Sequence, residues 1–198
     1  MGTSHPDATP EVECIRRCQR GEHEAFAPLV ERYQRRVFSL VFRIIRRRDE
    51  VEDLAQEIFF KAFRAISSYN FQSSFGTWLA RVAVNHCYDY LRRERASRVS
   101  YYWQMKEETR QALEAKAESP QAAGLNTEQQ TALRDWVDKL LGRAPVNDRI
   151  ILVLKEVEDL SVEEIGDILK LKPGTVKVRL HRARKRMLED VKRWRQGR

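Results

Sequence analysis

Between Gly21 and Gly76 this chain contains no glycine, and between Pro28 and Pro120 it contains no proline. A β-sandwich turns about every 8–12 residues, and its turns favour those two residue types. Long helices are what remain. From about His23 to Arg47 the apolar residues Phe26, Leu29, Val30, Tyr33, Val37, Leu40, Val41, Ile44 and Ile45 recur every three or four positions. That spacing is one face of an α-helix. The chain has 198 residues, 42% hydrophobic and 33% charged, with a formal net charge of +8. A length of this order allows one or two small domains. A basic excess points first to a polyanion such as nucleic acid, though a solvated basic face alone would also produce it.

Other classes fall away quickly. No run of about 18 apolar residues is present, so no membrane span is expected. Met1 to Pro10 has neither a basic start nor an apolar run, so no signal peptide is read there. Three cysteines do not make a disulfide framework, which favours a reducing cytoplasm. Cys14 and Cys18 are spaced for one helical face, but a structural zinc site needs four ligands and no second pair is in view. They read as free, buried cysteines, and no metal or cofactor is expected. No phosphate loop, nucleophile elbow or HExxH pattern occurs, so no enzyme is expected.

Along the chain, Thr9 and Pro10 start a short helix that Gly21 ends. Asp49 is placed to cap a helix bearing Val51, Leu54, Ala55, Ile58, Ala62 and Ile66. A polar and aromatic loop, Ser67 to Ser74, holds Tyr69 and Phe71. Ser74 caps a further helix that is expected to reach about Arg95. Residues 96–126 lose the pattern and read as a linker with an aromatic cluster, Tyr101-Tyr102-Trp103. A second block opens at Thr127, with Leu133, Val137, Leu140 and Leu141 on a stripe stopped by Gly142. Pro145 opens the next helix, which carries Ile150, Ile151, Val153 and Leu154. The fold class is therefore all-α: two small helical domains, 21–95 and 127–198, joined by a flexible linker, after a tail and short helix at 1–20.

The sharpest signal lies between Ser161 and Arg186. Ser161-Val162-Glu163-Glu164 is a capping box, in which the serine hydroxyl takes the N3 amide and Glu164 reaches back. A short helix ends near Lys170. After Leu171-Lys172-Pro173-Gly174, Thr175 is expected to start a basic helix running to about Trp194. Together these form a helix-turn-helix. Val176, Leu180 and Ala183 supply its buried stripe. Lys177, Val178, His181 and Arg182 lie off that stripe toward the N-terminal half, which normally enters the major groove. Arg184 and Arg186 lie further on, where phosphates are met. Lys172 and Thr175 join the same candidate surface.

These residues resemble an extracytoplasmic-function sigma factor, the smallest class of the sigma-70 family. The resemblance is carried by Asp53-Leu54-Ala55-Gln56-Glu57-Ile58-Phe59, by Phe75-Gly76-Thr77-Trp78-Leu79, and by Val82-Ala83-Val84-Asn85 with Asp89. It continues through Leu160-Ser161 with Glu163-Glu164-Ile165, Pro173-Gly174-Thr175-Val176-Lys177 and Arg179-Leu180-His181-Arg182-Ala183-Arg184, in the family's order. It spans Gly21 to Met187. It implies a cytoplasmic initiation factor with a region-two helical bundle and a region-four helix-turn-helix domain. Such a factor joins bacterial core RNA polymerase through the β′ clamp helices and the β flap, and directs it to promoter DNA in a stress or envelope response. An anti-sigma factor is an implied partner, with no direct membrane insertion of this chain.

Residue by residue, the resemblance assigns polymerase binding to Asp53, Leu54, Gln56, Glu57, Phe60 and Lys61. It assigns the minus-ten element to Tyr69, Phe71, Trp78, Asn85, His86, Asp89, Arg92 and Arg93. For Trp78, core packing is an equal reading. The helix-turn-helix Val162 to His181, with Arg182, Arg184 and Arg186 beyond it, takes the minus-thirty-five element. Val178 stands where the family commonly has serine, Ala144-Pro145 where Leu-Pro is common, and Gly166 where alanine is usual. The last exchange is expected to cost helix stability of up to about 1 kcal/mol. The competing reading is a free-standing helix-turn-helix regulator that binds duplex DNA alone, usually as a dimer.

Overall fold

The structure is a computed structural model that describes residues 9–104 and 138–196, with side chains described for 9–96 and 138–193. Thr127, Leu133, Val137 and the side chains of Tyr101, Tyr102 and Trp103 lie outside the described residues. Among the described residues every regular element is helical.

Helix α1 (Pro10–Gln19) starts as expected, with Pro10 in the first turn and the Thr9 hydroxyl accepting from the Val12 amide at 3.4 Å. A 3-10 turn, His23–Phe26, precedes α2 (Ala27–Ile45), so the periodic stretch is two elements rather than one. Pro28 explains the break: it suits the first turn of a new helix, not a helix interior. Arg46 ends α2 in the left-handed conformation (φ 63°). Helix α3 (Arg48–Ala65) begins with Arg47 at its N-cap and no side-chain cap. Asp49 therefore sits inside the first turn, with Glu50, where it complements the helix dipole.

Helix α4 (Phe75–Gln104) is capped as expected, the Ser74 hydroxyl accepting from the Thr77 amide at 3.0 Å. It runs well past Arg95. No glycine or proline follows Gly76 until Pro120, so nothing in the chain stops it there. Ile15, Leu29, Leu40, Ile44, Ile58, Phe75 and Leu79 are among the largest fully buried side chains of the core between α1 and α4. The Gln19 amide donates to the carbonyls of Ile66 (3.0 Å) and Tyr69 (2.7 Å), which fastens α1 to the aromatic loop.

In the second block, residues 138–143 are helical and include Gly142, which therefore does not stop the helix. Helix α5 (Val146–Leu152) follows Pro145 at its N-cap and runs into a π-helical turn, Val153–Val157, closed by Glu158 N–H to the Val153 carbonyl at 3.1 Å. Helix α6 (Val162–Leu169) and helix α7 (Pro173–Gln196) form the helix-turn-helix. Helix α7 starts at Pro173, two residues before the expected Thr175, because proline fits a first helical position.

Polar groups join the two blocks, whose buried apolar residues belong to one cluster. Arg36 pairs with Glu158, and the Thr77 hydroxyl donates to Glu164 at 2.9 Å. Tyr88 donates to Asn147 at 3.2 Å, and Arg81 lies 3.8 Å from Asp167. Arg46 donates to the Asp138 carbonyl and lies flat on Gly142, where a Cβ would come within 2.7 Å of its Cζ. A flexible linker does not by itself bring the blocks into contact. Charged and hydroxyl side chains on α2 and α4 supply the polar contacts.

Gly166 is explained by a close approach. A Cβ there would stand 2.8 Å from the Leu171 carbonyl oxygen, in the backbone of the turn between α6 and α7. The turn uses that proximity, since Leu171 N–H donates to the Gly166 carbonyl at 2.9 Å. Propensity alone would make Gly166→Ala stabilising by about 1 kcal/mol. Overpacking against backbone costs about 1–3 kcal/mol and should win. The variant is expected to unfold a few degrees lower; a raised midpoint in thermal unfolding would show that the turn yields.

Candidate nucleic-acid and polymerase-binding surfaces

The helix-turn-helix is built from the capping box outward. The Ser161 amide donates to Glu164 Oε2 at 2.9 Å, and the Glu164 amide donates to the Ser161 hydroxyl at 3.1 Å. Helix α6 ends at Lys170 in the left-handed conformation. Helix α7 then buries Val176, Leu180 and Ala183 against the block's core. Lys172, Thr175, Lys177, Val178, His181 and Arg182 are all exposed, and Val178 is an apolar patch among them. Arg179 is also exposed, and its charge reaches Tyr88 of α4. Arg184 and Arg186 are engaged within the block. Arg184 holds Glu156 at 2.6 Å and Arg186 pairs with Asp148. They keep an outward position but share their charge with acids in this structure.

On α3, Asp53, Gln56, Glu57, Phe60 and Lys61 form one exposed face. Among the described residues Phe60 is the most exposed large apolar side chain, at 60%, with the Arg64 guanidinium 5.8 Å from its ring centre. Leu54 is a correction: it is buried at 4%, because its position on α3 points into the core with Ala55 and Ile58. The sequence reading missed a neighbouring groove lined by Phe38 and Phe42 of α2 and by Arg48, Val51 and Glu52 of α3. Its signal was present, since Phe38 lies off the apolar stripe of α2.

The aromatic loop is a packed cluster with one free edge. Tyr69 is buried at 6%, donates from its hydroxyl to the Ser73 carbonyl at 2.7 Å, and touches Trp78 and Phe75 with ring centres 5.4 and 5.7 Å away. It therefore supports the platform rather than forming its open face. Phe71 is 41% exposed, takes a left-handed backbone (φ 61°), and packs tilted on Tyr69, ring centres 4.7 Å apart, beside the Arg16 guanidinium. A bulky residue held in that conformation is the kind of strain that accompanies binding sites. Trp78 is half-buried, so it does both: its ring packs on Phe75 and Tyr69 and leaves a part outside.

Further along α4, Asn85, Arg92 and Arg93 are exposed and Asp89 is half-buried, 3.0 Å from Arg92. His86 is the second correction. It is 1% exposed and turned toward α3, where it meets Lys61 and Glu57, so its ring faces away from any strand lying along α4. Cys18 and Cys87 are buried free thiols and Cys14 is half-buried. Burial pushes the Cys87 thiol up to about 12, which keeps it a thiol at ordinary pH. Among the described residues no group of three or more His, Cys, Asp or Glu side chains is placed to hold a metal ion. No described helix is long and apolar enough to cross a membrane.

The geometry defines a class first: a helical protein in which a helix-turn-helix is carried beside a bundle bearing an aromatic platform and a mixed-charge face. Comparison with known proteins narrows it. Sigma-70 region 2 matches residues 29–97 and Sigma-70 region 4 matches residues 134–187. The chain is 38% identical over 174 residues to the ECF RNA polymerase sigma-E factor of Escherichia coli (strain K12), covering 86% of this chain and 88% of that one. It is 31% identical over 184 residues to the ECF RNA polymerase sigma factor SigW of Bacillus subtilis (strain 168), covering 90% and 95%. The fold is shared with the sigma factor RpoE of Bartonella quintana, solved with the anti-sigma factor NepR, at TM-score 0.68 and 22% identity over 84% of this chain and 96% of that one. It is also shared with CnrH, solved with the cytosolic domain of CnrY, at TM-score 0.62 and 19% identity over 93% and 98%. The chain belongs to the extracytoplasmic-function sigma factors of the sigma-70 family.

Glu164 joins the helix-turn-helix to α4 and so ties stability to pH. Burial works against its ionisation, but hydrogen bonds from Ser161 and Thr77 outweigh it and hold the carboxyl below the usual range. A lowered folded value means that the contribution is fully present above the unfolded value of about 4.3 and is lost as pH falls through the folded one. Glu164→Gln should therefore be less stable than the parent at neutral pH, with the gap narrowing in acid. Urea unfolding at pH 7 and pH 3.5 checks this; an equal gap at both values would separate the capping box from the charge.

Proposed function

We propose that this chain is a cytoplasmic initiation factor. It joins core RNA polymerase through α3, captures an unpaired minus-ten strand at the aromatic loop and α4, and reads the minus-thirty-five duplex with α7. It performs no chemistry of its own. Its work is differential binding, in which duplex contacts and captured bases offset unstacking costs of a few kcal/mol per step. The observation that carries this reading is a stripe on α4. Trp78, Asn85, Asp89 and Arg92 fall within about 60° of each other at 100° per residue. Trp78, where that stripe begins, and the exposed ring of Phe71 both pack on Tyr69. A stacking platform followed by polar and cationic side chains suits single-stranded nucleic acid. A free-standing regulator would have no use for it.

The packed arrangement of the two blocks has a consequence for mechanism. The two promoter elements are centred about 25 base pairs apart, or about 85 Å of duplex at 3.4 Å per pair. Helix α6 rests on α4, so α7 and the loop cannot reach both elements while the blocks are joined. Opening must precede engagement of both. The polar contacts to be broken include the Arg36–Glu158 pair and the Thr77–Glu164 hydrogen bond, and the buried apolar residues of the two blocks belong to one cluster, so opening exposes apolar surface as well. Retaining the closed form is a natural task for an anti-sigma factor in a stress or envelope response.

Transcription from a promoter that neither core polymerase nor this chain recognises alone would support the reading; binding of duplex by the chain alone, undiminished without polymerase, would favour the regulator. Gln56→Ala with Glu57→Lys should weaken retention of core polymerase and leave helix content unchanged, since charge reversal acts where partner and rim must match. On α7, Arg182→Ala should alter which minus-thirty-five variants are used, because losing a base-edge contact relaxes choice at one position. Arg186→Ala should lower activity on all variants alike. A library of randomised upstream elements compares the two; uniform loss for Arg182→Ala would put that side chain on phosphate.

A further inference from the structure

His86 is buried at 1% on the helix that carries the candidate DNA-contacting residues, yet both of its ring nitrogens face α3. Nδ1 lies 2.7 Å from Lys61 Nζ, and Nε2 lies 3.0 Å from Glu57 Oε2. An ammonium group has donors only, so Nδ1 must be the acceptor. The imidazole is then neutral, with its proton on Nε2, toward the Glu57 carboxylate. That second contact has the distance of a hydrogen bond but not its alignment, and it acts as an electrostatic contact. Burial, then the Lys61 charge, lowers the His86 pKa below its usual value; Arg93 acts the same way, while Glu57 and Asp89 oppose.

Glu57 and Lys61 stand four residues apart on α3, the spacing and order that favour a direct ion pair. They do not make one here; each turns to the buried ring instead. Both are otherwise exposed, with Glu57 at 58%. We infer that His86 is a positioning residue for polymerase binding: its neutral ring holds Glu57 and Lys61 apart and ordered, so that α3 presents a separate acid and base to the partner. This rests on the reading of α3 as the polymerase-binding face. Because the folded pKa is lowered, the relay is complete above about pH 6.5 and is lost as pH falls through the folded value. A proton on Nδ1 would face the Lys61 ammonium and expel it.

The test is a double-mutant cycle on the full chain, with affinity for core polymerase measured at pH 7.5. His86→Ala should weaken binding about tenfold, since two long side chains regain their freedom. The same change in a Glu57→Ala, Lys61→Ala background should cost nothing further. His86→Asn, which returns an acceptor near the Nδ1 position, should restore part of the loss. An equal loss in both backgrounds would reduce His86 to a packing residue and overturn the inference. No loss from His86→Ala, with Glu57→Ala and Lys61→Ala still harmful, would overturn it while leaving the role of α3 intact. If Glu57→Ala with Lys61→Ala has no effect, α3 is not the binding face and the relay falls with it. Should His86→Ala fail to fold, nitrogen NMR of the parent decides: a ring protonated on Nδ1 near pH 7.5 would overturn the assignment.

Discussion

Helix α4 sets the layout of the molecule because four sets of neighbours divide its circumference. At 100° per residue, Leu79, Ala80, Ala83, Val84 and Cys87 share one broad arc, which is the core of the first block. Thr77, Arg81 and Tyr88 share a second arc, which meets the second block. Trp78, Asn85, Asp89 and Arg92 take the third and face outward. His86 lies at the border with α3. A rotation of α4 by one residue would misplace all four sets together. The capped start at Ser74 and the packing of Phe75 against Tyr33 and Tyr69 fix that rotation.

Much of this was legible in the chain. The Ser161–Glu164 capping box, the Thr9 and Ser74 caps and the Val176, Leu180, Ala183 stripe are local signals, and each depends only on residues within a turn or two. What was not legible depends on partners distant in sequence. Leu54 lies on the stripe of Val51, Ala55 and Ile58, so spacing alone put it inward against the role the resemblance gave it, whereas only the packing of α3 against α4 shows that His86 is buried. Tyr69 reads as loop until Gln19 and Phe75 are seen to close over it. The π turn at Val153–Val157 has no breaker to announce it. Gly166 was read as a loss of helix propensity; the reason for it is the Leu171 carbonyl.

The contact between the blocks is made at a cost. Arg149 is buried at 7%, and burial, then the neighbouring Arg46 charge, lowers its pKa to about 10. Its Nε finds no hydrogen-bond partner, and neither does the Nε of Arg43, which lies 3.6 Å from Asp138. Arg46, with its own pKa lowered first by burial, donates to a backbone carbonyl rather than to a carboxylate. Three guanidinium groups and one aspartate therefore share this corner of the interface. Buried charge without full pairing is expensive.

That cost is set against favourable pairs elsewhere in the same contact. Arg36 meets a Glu158 side chain that is only 4% exposed, and Glu164 serves the capping box with one oxygen and Thr77 with the other. The interface thus combines well-formed pairs with one buried arginine, Arg149, whose Nε has no hydrogen-bond partner. A purely apolar contact of the same extent would hold the helix-turn-helix on α4 with no charge for a partner to act on. The mixture leaves the closed form adjustable: any partner that brings carboxylates to Arg43, Arg46 and Arg149 lowers its free energy, and any that draws Arg36 or Thr77 away raises it.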